Sequence, residues 1–244
     1  MENYLQRFLT LTDVRLKLNN ISFLKTLLGL ISVPRHGFTE ENLVDIISGD
    51  DVVLNDVFQF HEPPVRRLPN MLMKRLLTEI SEYVCKPAVN GQIVLRYFHR
   101  QFYKFFKQYR QKELYQLALA FLDGTLHDKY PARQISVEKE ENSAIVSSEL
   151  PWVLFRLSQI DLTYLEHFSS EILNVEHILR RVFFGQVLEF ISDCENFKSL
   201  FKKAYENPET RQMAKLQSLQ MRNSRINAIC RILSKKSFFI EGFK

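Results

Sequence analysis

Four consecutive pieces of sequence decide the fold of this chain: HGFTEENLVDIIS (residues 36–48), DDVVLNDVFQFHEPPVRRLPNMLMKRLLTEISEYV (50–84), KPAVNGQIVLRYF (86–98) and HRQFYKFFKQYR (99–110). The first two pieces place apolar residues at helical spacing and predict three short helices. The third piece predicts a β-hairpin, and the fourth predicts a further helix. A helical trio followed by a two-stranded wing is the order of elements in a winged-helix module.

Boundary residues divide the trio. Thr39 can cap the first helix, and either Asp50 or Asp51 can cap the second. Pro69 suits the first position of the third helix, which we expect to run to about Tyr83. Two adjacent carboxylates could also suggest a metal site, but at a helix start they are usually caps.

The predicted wing is a hairpin over residues 84–97. Its turn is Asn90-Gly91, a pair that tolerates the positive φ values of a type I′ turn. After the wing, aromatic residues recur at i, i+3, i+4 and i+7, which predicts a basic amphipathic helix with a packed aromatic stripe. The stripe consists of Phe102, Phe105, Phe106 and Tyr109.

We expect a mainly α chain with four parts. Residues 1–20 form an N-terminal helix that ends a preceding helical region, and residues 21–124 form the winged-helix domain with its C-terminal helices. The polar stretch 125–148 is predicted to be an exposed linker, and residues 149–244 a helical arm. The paired helices of the arm are compatible with the start of an α-solenoid, but no sequence period establishes repeats.

Composition limits the functional classes. The 33 basic and 28 acidic residues leave a net charge of +5, a mild excess that does not require nucleic acid. Cys85, Cys194 and Cys230 are odd in number and lack metal-ligand spacing, so no disulfide framework is predicted. The chain has no signal-peptide pattern and no apolar run of about 18 residues, so we expect a cytoplasmic protein without a membrane span.

Catalytic motifs are absent from the sequence. The seven glycines form no phosphate-binding loop, and the six histidines show no HExxH spacing and follow no nucleophile elbow. We therefore expect no enzymatic activity and no cofactor bound by this chain alone.

A winged helix that binds nucleic acid is the alternative interpretation. The third helix, which would enter the major groove, carries Lys74 and Arg75 but also Glu79 and Glu82. This mixed charge makes nucleic acid an unlikely partner, so we favour protein partners.

Three arginines are candidate partner contacts. Arg66 and Arg67 lie between prolines and could clamp an acidic partner, although such a loop pair is more often exposed or paired with local carboxylates. Arg100 lies on the basic face of the helix after the wing. The sequence leaves both interpretations of the arginine pair open.

Several of these residues resemble a known family. GFTEENL (37–43) resembles the opening of the winged-helix domain that follows the nucleotide-binding domain in NACHT-type STAND NTPases. The similarity to NACHT and WD-repeat proteins continues through Asp45, Ser48, Asp50-Asp51, LNDVF (54–58), Pro64, Arg66-Arg67, Pro69 and YFHRQF (97–102). ELPW (149–152) is similar to the segment that opens the helical region in these proteins.

The resemblance implies a middle segment of a signalling switch. A NACHT domain and WD repeats are absent from this chain, so ADP or ATP would act only through a NACHT domain elsewhere, and we expect the chain to be a fragment of a longer protein. In related switches the histidine that starts the helix after the wing reaches the phosphates of ADP, and His99 is the matching position. The other interpretation of His99 is a helix-terminal histidine satisfied by nearby backbone.

Overall fold

The computed structural model describes residues 21–136, 144–206 and 214–241. The chain divides into two compact units, residues 1–138 and 139–244, and each is described by itself. The described residues are mainly helical with one small β-hairpin region, which confirms the predicted fold class. The predicted helix at residues 1–20 lies outside the described residues.

The first unit contains seven described helices and four two-residue strands. The helices are α1 (Ile21–Ile31), α2 (Glu40–Ile47), α3 (Asp51–Val57), α4 (Asn70–Glu79), α5 (Arg100–Phe106), α6 (Gln111–Leu122) and α7 (Thr125–Lys129). The strands are β1 (Val84–Cys85), β2 (Ala88–Val89), β3 (Gln92–Ile93) and β4 (Arg96–Tyr97). The order of three helices, a hairpin and a helix over residues 36–110 is therefore as predicted.

The caps of α2 and α3 follow the sequence signals. The backbone N–H of Asn42 donates to Thr39 Oγ1 at 3.1 Å, and the N–H of Thr39 donates to Asn42 Oδ1 at 3.0 Å. This reciprocal pair satisfies two N–H groups that the first helical turn leaves without partners. Asp50, rather than Asp51, caps α3 by accepting from the N–H of Val52 at 3.0 Å.

The hairpin closes as its turn predicts. Asn90 and Gly91 have φ values of 50° and 79°, the left-handed pair that a type I′ turn requires. Around this turn β2 pairs with β3, and further out β1 pairs with β4, both antiparallel. The predicted hairpin over residues 84–97 is confirmed.

Helix α1 is the centre of the first unit. Its buried residues pack against α2, α3, α5 and α6. The predicted aromatic stripe contributes Phe102 and Phe106, both buried, whereas Phe105 and Tyr109 are half-buried. On α4 the residues Met73, Leu76 and Leu77 are buried, whereas Leu72 is half-buried.

Residues 125–148, for which the sequence predicts an exposed linker, contain helical segments and buried side chains where the structure describes them. Helix α7 and a 3₁₀ turn, Pro131–Arg133, occupy most of residues 125–133, and α8 already begins at Ala144. Leu126 and Ile135 are buried in the first unit. Tyr130, Arg133 and Ser136 of this polar stretch bind Asp51 or Asp45, which composition alone cannot show.

The second unit contains five described helices. They are α8 (Ala144–Ile160), α9 (Leu165–Leu173), α10 (Val175–Phe183), α11 (Val187–Glu206) and α12 (Ala214–Glu241). The chain turns between α10 and α11 at Gly185, whose φ is 69°. Helix α9 packs against α8, α10, α11 and α12, and the rings of Phe168 and Phe197 meet edge-on at 5.9 Å.

Candidate functional site at the turn between α2 and α3

Asp45 binds two distant parts of the first unit. Its buried carboxylate forms an ion pair with Arg67 and accepts hydrogen bonds from Ser136, the one from the backbone N–H being 3.1 Å long. Arg67 also donates to the backbone carbonyl of Gln134. One carboxylate thus joins α2, the loop before α4 and residues 134–136, separated by up to 91 positions in sequence.

Asp51 is held on the other side of the same turn. Its carboxylate forms an ion pair with Arg133 and accepts from the hydroxyl of Tyr130 at 3.0 Å. Burial raises the pKa of Asp51, but the hydrogen bonds from Arg133 and Tyr130 and the charge of Arg133 lower it, and the net shift is downward. The Arg133 guanidinium also lies 3.7 Å from the centre of the Tyr130 ring. Asp51 is therefore held ionised by local donors.

Backbone groups of the turn take part as well. Arg133 donates to the carbonyl of Ser48 at 2.8 Å, and the Ser48 hydroxyl accepts from the N–H of Leu68 at 3.0 Å. The same hydroxyl donates to the carbonyl of Val44 at 2.6 Å. Ser48 therefore links the end of α2 to the loop before α4 and to residues after α7.

Asp50 has two functions at this turn. Beside its capping bond, it accepts from Arg110 Nη1 at 2.8 Å. Burial lowers the pKa of Arg110, but the charge and hydrogen bond of Asp50 raise it and prevail, so the net shift of the Arg110 pKa is upward. Arg110 itself has a φ of 41°, a left-handed conformation at the junction of α5 and α6.

We call the following ten residues the α2–α3 network: Asp45, Ser48, Asp50, Asp51, Arg67, Arg110, Tyr130, Arg133, Gln134 and Ser136. Five of the residues that carried the resemblance belong to it, namely Asp45, Ser48, Asp50, Asp51 and Arg67. Arg110 and Arg133 are the partners that the sequence reasoning missed. No local signal identifies them, since each meets its carboxylate across 60 or more positions.

A polar surface cleft of about 570 Å³ opens beside the network. Its charged lining includes Asp50, Asp51, Arg110, Glu113 and Lys129. In this lining Asp50 is paired with Arg110, and Asp51 is paired with Arg133, so these charges beside the cleft are internally compensated.

The three arginines predicted to contact a partner differ in their surroundings. Arg66 pairs with Glu62 at 3.3 Å and donates to Asn55, and Arg67 binds Asp45. Both members of the pair therefore make contacts within their own unit. Arg100, in contrast, is exposed at the start of α5.

His99 occupies the N-cap position of α5, directly after the hairpin. Its side chain is exposed and makes no capping hydrogen bond, and its ring meets that of Phe98 edge-on at 4.9 Å. Two residues earlier, the hydroxyl of Tyr97 donates to the carbonyl of Leu28 on α1, and burial raises the Tyr97 pKa well above its ordinary value. The hairpin end is thus anchored to α1 while His99 faces solvent.

Helix α4 presents mixed charge. Lys74, Arg75 and Glu79 on the helix, and Glu82 after it, are all exposed. A surface groove of about 610 Å³ between α2, α4 and the hairpin is lined by Glu40 together with Lys74 and Lys86. These side chains do not form a continuous basic face, and binding to a phosphate backbone requires such a face.

Within the described ranges, no group of three or more histidine, cysteine or acidic side chains is placed to hold a metal ion. None of the helices described is both long enough and apolar enough to cross a membrane.

All three cysteines are free thiols, and Cys194 and Cys230 lie together. Their mutual hydrogen bond raises the pKa of Cys194 and lowers that of Cys230 to about 7.

Comparison with known proteins finds a partial relationship. The chain is 39% identical over 77 residues to human NACHT domain- and WD repeat-containing protein 1, and 35% identical over 77 residues to the mouse protein of the same name. Each match covers 30% of this chain and 5% of the relative. The chain is therefore similar to a small part of these much longer proteins. No family model matches it, and no solved structure does.

Proposed function

We propose that this chain is a non-catalytic regulatory and protein-interaction segment of a cytoplasmic NACHT and WD-repeat type signalling protein. In this proposal residues 21–124 act as a winged-helix module that relays the nucleotide state of a NACHT domain to the helical arm. The observation that carries the proposal is the 39% identity over 77 residues to a protein whose name records both a NACHT domain and WD repeats. Its partners would be those domains or other proteins.

The α2–α3 network supports a module that moves as one body. Asp45, Asp50 and Asp51 are each bound by an arginine from a different part of the unit. Charge-assisted hydrogen bonds of this kind fix orientation. A relay needs such rigidity, because a soft module would absorb a displacement instead of transmitting it.

His99 is the proposed point of contact with nucleotide. An exposed imidazole without an intramolecular capping bond can donate to a phosphate oxygen presented by another domain. Anchoring of the neighbouring Tyr97 fixes where that imidazole is held. Arg100 is exposed beside it and is the proposed partner contact of the three arginines. Loss of the His99 contact on domain rotation would couple nucleotide state to shape.

The test combines this chain with the NACHT domain of the human relative, loaded with fluorescent ADP. We expect the chain to slow ADP release severalfold and the His99→Ala variant to lose most of that effect. His61→Ala, a second exposed histidine of the same unit, is the matched control and should behave as wild type. ADP release that is unaffected by the wild-type chain would contradict the proposal, whereas release slowed equally by His99→Ala would remove only the role of His99.

The nucleic-acid alternative is separated by a mobility-shift titration with random duplex and single-stranded DNA. The mixed charge of α4 and its groove predicts no binding at physiological salt. A shifted complex whose affinity falls steeply as salt rises would favour the alternative.

A further inference from the structure

Helix α10 directs its apolar face to solvent and its charged face into the interior of the second unit. Val175, Leu179, Val182 and Phe183 are exposed, with Leu179 at 63% and Phe183 at 83%. Their spacing of i, i+4, i+7 and i+8 places them on one side of the helix, and we call this the α10 stripe. A helix on the surface of a unit ordinarily buries such a stripe.

The opposite side of α10 carries charge into the interior. Arg181 is completely buried, where it donates to Gln186 at 3.0 Å and forms ion pairs with Asp193 and Glu189 of α11. His177, one turn earlier and also buried, lies 3.1 Å from Glu171 of α9. These two residues are i and i+4, so they define a single inward face.

Gln186 extends the inward contacts to α8. Its amide donates to the carbonyl of Ala144 at 3.0 Å, and its carbonyl oxygen accepts from the hydroxyl of Ser147 at 2.8 Å. Contacts with α8, α9 and α11 therefore fix the rotation of α10 about its axis. The exposed stripe is a consequence of specific polar contacts and does not reflect a loosely attached helix.

We propose that the α10 stripe is a self-association surface, and that two copies of this chain pair through antiparallel α10 helices. Four side chains of this size and exposure present roughly 450 Å² of apolar surface. A standard interface buries about 800 Å² per partner, of which about 65% is apolar in homodimers. The stripe supplies nearly the whole of such an apolar centre, with its polar flanks forming the rim.

Charge on the flank of the stripe fits an antiparallel pair. Glu176 and Arg180 lie on the same side of α10 and contact each other at 3.4 Å. In a two-fold pair centred on Leu179, Glu176 of one copy lies within roughly 3 Å, along the helix axis, of Arg180 of the other, given a rise of 1.5 Å per residue. The two-fold axis brings the same side of both helices together. Each Glu176 therefore gains a second basic neighbour, the Arg180 of the other copy. The opposed helix dipoles add to the attraction.

Sedimentation velocity of the full chain from about 1 to about 100 µM tests the proposal. We expect the mass to rise with concentration from 28.9 kDa towards twice that value. Leu179→Asp combined with Phe183→Asp should abolish the rise, with an unchanged circular dichroism spectrum and melting temperature because both side chains are exposed. Phe60→Asp, at a fully exposed position of the other unit, is the matched control and should still dimerise.

Cysteine cross-linking distinguishes the predicted arrangement from other dimers. Residue 179 lies on the two-fold axis, so oxidised Leu179→Cys should give a disulfide-linked dimer that dithiothreitol reverses. Met221→Cys, exposed on α12, should not exceed the wild-type background. A protein that stays monomeric throughout the range, a dimer that survives the double substitution, or a Leu179→Cys variant that does not cross-link would each overturn the proposal.

Discussion

Arg110 donates a 2.8 Å hydrogen bond to one carboxylate oxygen of Asp50, and the other oxygen of Asp50 caps α3 by accepting from the N–H of Val52. A single side chain therefore starts a helix and binds the junction between α5 and α6, 60 positions away. The two functions use different properties of the carboxylate: capping needs only an acceptor oxygen, whereas the ion pair needs the charge.

Substitutions at Asp50 separate these two functions. Asp50→Asn keeps the acceptor and removes the charge, so we expect a loss of about 1 kcal/mol in the free energy of unfolding. Asp50→Ala removes both and leaves Arg110 without its buried acceptor, for which we expect about 2–3 kcal/mol. Urea unfolding followed by circular dichroism measures both. Equal losses in the two variants would show that the capping hydrogen bond contributes nothing, and an Asp50→Asn variant as stable as wild type would show the same for the ion pair.

The control for this series is Glu113, the second partner of Arg110. It lies 3.1 Å from the guanidinium but is 60% exposed. We expect Glu113→Gln to cost less than about 0.5 kcal/mol, since exposed ion pairs are screened by solvent.

Gly37 tests the contact between the α1–α2 connection and the hairpin. Its φ is 121°, and a Cβ placed there would lie 2.9 Å from the carbonyl oxygen of Leu95. The N–H of Leu95 donates to the carbonyl of Phe38 at 2.8 Å, so this backbone cannot retreat without losing a hydrogen bond. We expect Gly37→Ala to lower the free energy of unfolding by about 3 kcal/mol through strain and overlap together.

Gly124 provides the comparison for Gly37. Its φ of 81° is also positive, but a Cβ there would meet no atom within 4 Å. Gly124→Ala should therefore lower the free energy of unfolding by about 1 kcal/mol, the cost of placing alanine in this backbone conformation. A Gly37→Ala variant as stable as Gly124→Ala would contradict the close packing of the hairpin.

The features of the first unit that could be predicted from the sequence are those that depend on neighbouring residues. Thr39 and Asp50 are caps because hydroxyl and carboxylate oxygens accept from the first helical N–H groups, and Asn90-Gly91 forms its turn because both residues adopt positive φ. Such features depend on residues within four positions of each other. The position of His99 at the start of a helix was predictable for the same reason, while its proposed role comes only from the resemblance.

Long-range pairing was not predictable. The sequence marks Asp45 and Arg67 as charged residues near helix ends, but nothing in it indicates that Ser136 meets Asp45 or that Arg133 meets Asp51. The orientation of α10 was also not predictable from the sequence, because the burial of Arg181 depends on carboxylates of α11. Pattern reasoning assigns the apolar side of a helix to the interior, and here the polar contacts prevail.

Arg133 tests whether residues 125–136 belong to the first unit. The side chain is buried, donates to the carbonyl of Ser48 and pairs with Asp51. We expect Arg133→Ala to lower the free energy of unfolding by about 2–3 kcal/mol, because the Ser48 carbonyl loses a donor and the Asp51 carboxylate loses its charged partner. The segment around α7 should also be cleaved faster after Lys129, the trypsin site that this variant keeps within residues 125–136.

Arg75→Ala is the control for Arg133, since Arg75 is exposed on α4. It should change the stability by less than about 0.5 kcal/mol and leave the cleavage pattern of residues 125–136 as in wild type. If Arg133→Ala gave the same small effects, the segment would be only loosely attached.

The contact between Glu171 and His177 makes the second unit sensitive to acid. Burial raises the pKa of Glu171, but the hydrogen bond from His177 and the charges of His177, His167 and Arg180 lower it below its ordinary value of 4.5. A carboxyl group with a lower pKa in the folded state stabilises that state above pH 4.5 and loses this contribution as the pH falls further.

We therefore expect the stability of the wild-type chain to decrease below pH 4.5 more steeply than that of Glu171→Gln, which has no proton to bind at this position. Thermal unfolding between pH 3 and pH 6 measures the two slopes. Glu176→Gln is the matched control, because Glu176 is 78% exposed on α10 and its removal should leave the acid-dependent slope as it is in wild type. Parallel curves for the wild type and Glu171→Gln would show that the buried carboxyl group titrates alike in the folded and unfolded states.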